Sequence, residues 1–113
     1  EVYRVDDPSG EAMVGNATPF FDGGAMGFLG TTAVSMSRRD QLWAAFEQGG
    51  ATGQGALVRL SDQGDVTLVL EDDAAFSHPG GLCSGGRTDG DDGSVLFMVN
   101  LGDGSVWRVT VPD

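Results

Sequence analysis

The sequence predicts an all-β chain built from a repeat of about 50 residues. Three observations carry that expectation. Short runs of alternating or branched apolar residues are separated by glycine and aspartate turns, as where Val66-Thr67-Leu68-Val69-Leu70 follows Asp62-Gln63-Gly64-Asp65. An arginine-centred motif occurs three times: Val2-Tyr3-Arg4-Val5, Leu57-Val58-Arg59-Leu60 and Val106-Trp107-Arg108-Val109. Other features recur in phase with it. Phe20-Phe21-Asp22 ahead of a glycine-rich stretch matches Phe76-Ser77-His78 ahead of Pro79-Gly80-Gly81-Leu82, and residues 42–47 match residues 95–100, setting Glu47 against Asn100. About four strands in each repeat of this length describe a β-propeller blade.

The strands of a blade are lettered a to d from the axis outwards. Residues 2–5 then read as strand c, and 12–20 contain a strand d. Residues 30–36 are the next strand a. The stretch 37–48, SRRDQLWAAFEQ, has two readings: a helix capped by Asp40 with Leu42, Ala45 and Phe46 at helical spacing, or a hairpin turning at Arg38-Arg39-Asp40. The repeat selects the hairpin and makes 41–46 strand b. Strand c is 56–60 and strand d the branched run 66–70. Residues 82–86, 94–99 and 105–111 supply the next a, b and c. The whole of 1–113 is thus one propeller segment of a little over two four-stranded blades, with boundaries near 22–30 and 76–82. Since known rings hold about four to eight blades, such a segment is expected to be completed by further chain or by partners. A compact β-sandwich is the alternative if the repeat is illusory.

Composition limits the functions open to it. Hydrophobic residues make up 40% and charged residues 20%, the balance of a globular chain. Six basic residues, all arginine, face seventeen acids for a net charge of −11, which argues against nucleic acid and anionic membrane surfaces as partners. The absence of lysine excludes Schiff-base chemistry and a Walker-type phosphate site. No apolar run is long enough to span a bilayer, so membrane insertion is not expected, and the opening EVYRVDDPSG does not read as a signal peptide. The acidic surface suits solubility or an extracytoplasmic setting. One cysteine, Cys83, allows no internal disulfide and reads as a small buried strand residue.

The stretch from Gly55 to the C-terminus resembles an NHL-type propeller repeat. The pieces that carry the resemblance are Ala56-Leu57-Val58-Arg59-Leu60, the turn and strand from Gly64, Phe76 with Pro79-Gly80-Gly81-Leu82, and Gly93 through Leu96-Phe97-Met98-Val99-Asn100. The pattern is also similar to the gluconolactonase and senescence-marker-protein superfamily. That resemblance implies a six-bladed fold and a divalent metal held in the channel by Glu, Asn and Asp. Where that family has Asn-Gly-Leu, this sequence has Gly80-Gly81-Leu82, which removes one ligand.

In a propeller the d-to-a and b-to-c connections share one face. The register therefore gathers Asp22, Glu47, His78 and Asn100 on one rim. Such a rim offers oxygen ligands to a hard cation such as Ca²⁺, the one ion worth testing; no organic cofactor is implied. The plainer reading is that Asn100 and Asp103 shape the Asn-Leu-Gly-Asp-Gly hairpin and that His78, held extended before Pro79, caps the start of a strand. No serine–histidine–acid or cysteine–histidine spacing is present. Asp89-Gly90-Asp91-Asp92-Gly93 reads as a solvated hairpin, since Gly93 breaks the alternation a calcium loop needs, and Asn16-Ala17-Thr18 is a glycosylation sequon followed by Pro19. Phe28, Met36, Trp43, Phe46, Phe76, Phe97, Met98 and Trp107 are expected to pack between sheets, with Trp43 and Trp107 as the alternative sugar-binding shelf. The function expected is a non-catalytic binding or assembly module. The alternative is part of a metal-dependent lactonase-like hydrolase.

Overall fold

A computed structural model describes residues 2–5, 17–37, 40–49, 54–71, 76–84 and 94–112. The expected readings at 12–16, Asn16, Arg38-Arg39, 85–86 and 89–93 lie outside these residues. The chain is all-β, with no α-helix among the described residues. In order come β1 (Val2–Val5), β2 (Ala17–Phe21), a 3-10 turn (Gly23–Met26), β3 (Leu29–Met36), β4 (Leu42–Gly49), β5 (Gln54–Leu60), β6 (Val66–Leu70), β7 (Pro79–Ser84), β8 (Val95–Asn100) and β9 (Ser105–Thr110). They form three antiparallel sheets, β1-β2, β3-β4-β5-β6 and β7-β8-β9, each a simple meander.

Local chemistry explains the turns. The stretch with two readings is a hairpin. Ser37 turns it, its N–H donating to the Gln41 carbonyl at 2.8 Å and its hydroxyl accepting from the Gln41 N–H at 3.2 Å. Asp40 takes φ 57, a conformation an aspartate tolerates and a helix interior forbids. Ser61 does the same work between β5 and β6, accepting at its hydroxyl from the N–H groups of Gln63 and Asp65, while Gly64 supplies φ +83.

The middle sheet is covered on both sides. Along β4, Ala44 and Phe46 join Val2, Phe21, Phe28, Ala56, Val58 and Leu60 in one core against the first sheet. Trp43 and Ala45 point the other way and join Leu57, Phe76, Leu96, Met98 and Val111 in a second core against the third sheet. This is the period-two alternation of strands carried through three layers. Arg59 ties the last two layers: its guanidinium lies 5.8 Å from the Trp43 ring and donates to the Pro112 carbonyl at 3.2 Å.

Cross-strand register defines which positions repeat. Arg59 faces Trp43 and Arg108 faces Phe97, so Trp43 and Phe97 are equivalent, as are Ala44 with Met98 and Phe46 with Asn100. By the same rule Val34 matches Leu82 and Ser35 matches Cys83. The first strands of these two sheets, β3 and β7, even break register at matching places, after Thr31 and after Pro79.

Burial then depends on what lies beyond each face. Leu57 is 0% exposed beneath the third sheet, whereas its counterpart Val106, with no sheet beyond it among the described residues, is 67% exposed. Cys83, expected to be buried, is exposed on the same outward face of the third sheet. Met36 and Trp107, expected between sheets, are also exposed, while Trp43, Phe46, Phe76, Phe28 and Met98 are buried as expected. Truncating Leu57 to alanine should therefore cost about 2–5 kcal/mol in chemical denaturation, while Val106→Ala should stay within about 0.5 kcal/mol of the parent.

Candidate functional site

A polar cleft of about 400 Å³ is lined by Glu47, Gln48, Gln54, Ser77 and His78. It lies between the β4–β5 end of the middle sheet and the segment leading into β7. A glycine sets the approach: a Cβ on Gly55 would run into the Phe76 carbonyl oxygen, so only glycine lets the start of β5 lie against that segment. Gly30, at φ +67, leaves room on the other wall, where a Cβ would sit 3.1 Å from both Cβ and Oε2 of Glu47.

Ser77, one of the lining residues, is held by Asn100, which is 3% exposed at the end of β8. Its Oδ1 accepts the Gly102 N–H at 2.9 Å, and its Nδ2 donates to Ser77 Oγ at 3.1 Å. A backbone N–H can only donate, so this pair of bonds fixes which end of the amide faces Ser77. Ser77 Oγ is thereby an acceptor toward Asn100. Beside it, the His78 carbonyl accepts the Leu101 N–H at 2.8 Å, which fastens the β8–β9 hairpin to the start of β7.

Of the four expected rim residues, Glu47 and His78 line one cleft, and Asn100 lies outside that lining and donates to Ser77, which is part of it. Asp22 is not among the described lining residues; it caps the 3-10 turn, its carboxylate accepting the Gly24 N–H at 3.1 Å. One sequence equivalence needs correcting. Glu47 and Asn100 are not repeat partners, because Asn100 occupies the place of the buried Phe46. A slip of one residue turns a strand position to the opposite face, which is why Glu47 is exposed and Asn100 buried. Gln48, Gln54 and Ser77 escaped the sequence reading. Ser77 was adjacent to a chosen residue, but Gln54 sits in a glycine-rich stretch with no pattern to mark it.

Asn100 and Asp103 shape the hairpin as expected. Gly104, at φ +74, closes the turn with its N–H on the Asn100 carbonyl at 2.9 Å. Asp103 accepts from the Ser105 hydroxyl at 2.6 Å and its N–H at 2.9 Å. The Ser105 hydroxyl first, and its N–H second, hold the Asp103 carboxyl below its usual value. Among the described residues no three His, Cys, Asp or Glu side chains are grouped as a metal would require. The Trp43 shelf is absent, since that ring is fully buried; Trp107 donates through its indole N–H to Ser105 Oγ at 2.7 Å on β9.

Two outcomes follow. Asn100→Ala should destabilise the chain by about 1–3 kcal/mol in denaturant, because two bonds are lost at a buried site. An NMR titration of Asp103 should show a depressed pKa that returns toward the ordinary value in Ser105→Ala. The stabilisation tied to that group is present above the unfolded-state pKa and is lost as pH falls through the folded value. Comparison with known proteins gives no match to this chain, whether among family models, curated proteins or solved structures.

Proposed function

We propose that this chain is a segment of a β-propeller and serves as a binding or assembly module, joined by further strands into a larger body. The observation that supports this reading is the contrast in burial between equivalent positions. Leu57 is sealed within the stack while its counterpart Val106 stands open, and Leu82 packs against a core while its counterpart Val34 stands open. Monomeric proteins rarely leave apolar surface exposed in such a regular way, and where it occurs it marks a contact.

The lactonase-like hydrolase is kept as a second reading on one observation, the meeting of Glu47 and His78 in a single cleft. Calcium separates the two: heat on calorimetric titration, lost in Glu47→Gln, supports the hydrolase, and an absence of heat removes it. For the assembly module the measurement is native mass. Light scattering should give a mass well above the 11.7 kDa of one chain, or a chain that unfolds without cooperativity when alone. A cooperative monomer of that mass would overturn the proposal.

A further inference from the structure

We propose that the outward face of the third sheet, formed by Cys83, Phe97, Val99, Val106 and Arg108, is the seat of a further antiparallel sheet of the same repeat, contributed by polypeptide other than residues 1–113. The inference rests on the propeller-segment reading and names the surface and the partner that reading requires.

Cross-strand pairing places these five side chains together. Cys83 faces Phe97, Phe97 faces Arg108 and Val99 faces Val106. Leu82, Leu96 and Met98 alternate with them, point to the inner side and join the second core. On the outward face Val106 is 67% exposed, Cys83 and Arg108 are exposed, and Phe97 and Val99 are half-buried.

The arginine-centred motif presents this place three times, and twice it is covered. Val2, two residues ahead of Arg4, is buried with Ala44, Phe46, Ala56 and Val58 of the middle sheet. Leu57, two residues ahead of Arg59, is buried with Leu96 and Met98 of the third. Val106 stands two residues ahead of Arg108 and holds the same place. The first two arginines also reach toward the layer that does the covering. Arg4 lines a cleft with Val34 and Leu42 of the middle sheet, and Arg59 donates to the Pro112 carbonyl that follows β9.

The two covered places define the occupant. Each cover is the next sheet of the repeat. It supplies aliphatic side chains from its second and third strands and a phenylalanine ahead of its first, Phe28 before β3 and Phe76 before β7. A second copy of this chain can lend neither of these faces, because Ala44, Ala56, Val58, Leu96 and Met98 are already fully buried in its own two cores. The occupant is therefore a separate sheet with a face of that kind. It offers Arg108 a backbone carbonyl, as Pro112 offers one to Arg59.

The test repeats residues 61–113 directly after residue 113 of the full chain, so that a second such sheet follows β9 as the third sheet follows β5. Cys83→Ser in both units and Val106→Cys in the original one leave a single thiol, on the proposed seat. Its alkylation rate should fall by about tenfold or more relative to the unfused chain with the same substitutions, because the counterpart Leu57 is fully buried. Met98→Asp in the added unit should restore the unfused rate. Arg108→Ala should lower the melting temperature of the fused chain and leave that of the unfused chain unchanged. An unchanged alkylation rate on fusion, or an equal fall with Met98→Asp, overturns the proposal. A thiol that is slow in the unfused chain and quickens on dilution gives the face to a second copy, which also overturns it while the assembly reading stands. If fusion gives no protection and the parent still assembles, only this seat is wrong; if the parent is also a cooperative monomer, both readings fail.

Discussion

Everything in this molecule follows from the double-sided apolar character of its middle sheet. Strands β4 and β5 carry apolar residues at successive positions, so neither face can meet water without cost. The first sheet covers one side through Val2 and Phe21, and the third covers the other through Leu96 and Met98. The layers are thus held by side-chain burial and not by shared backbone hydrogen bonds. The polar cleft accompanies that stacking, since it lies at the end of the middle sheet beside the close approach of Gly55 to Phe76.

Much of this was legible in the sequence, because strand alternation and turn chemistry are local. β1 and β6 begin and end where the pattern says, and Ser105 opens β9 as expected. β5 and β7 begin earlier than their apolar residues suggest, at Gln54 and Pro79. Glutamine, glycine and proline carry little strand signal, and these extensions are held by pairing with a neighbour. The stretch 37–48 was ambiguous for a physical reason. Trp43, Ala44, Ala45 and Phe46 are all buried, and a continuous apolar run fits a helix face and a doubly covered strand equally well.

The site was legible in part. The repeat placed Glu47 and His78 at one end of adjacent layers, which is where they meet. It misjudged Asn100 by one residue, and in a strand one residue reverses the face. The repeat alignment matched chemical type, glutamate to asparagine, whereas the fold matches position and sets asparagine where the neighbouring repeat has phenylalanine. A buried amide can take that place because Ser77 and Gly102 occupy both of its ends. Cys83 and Met36 show the complementary limit. Their residue types say that they can be buried, but only the presence of a neighbouring layer decides whether they are.

The two sides of the middle sheet are not alike. One offers the broad indole of Trp43 beside Leu57; the other offers the small Ala44 and Ala56 beneath Phe46. The first sheet meets the alanine side and the third sheet meets the indole side, so the three layers are stacked with a direction that reversing the middle sheet would not preserve.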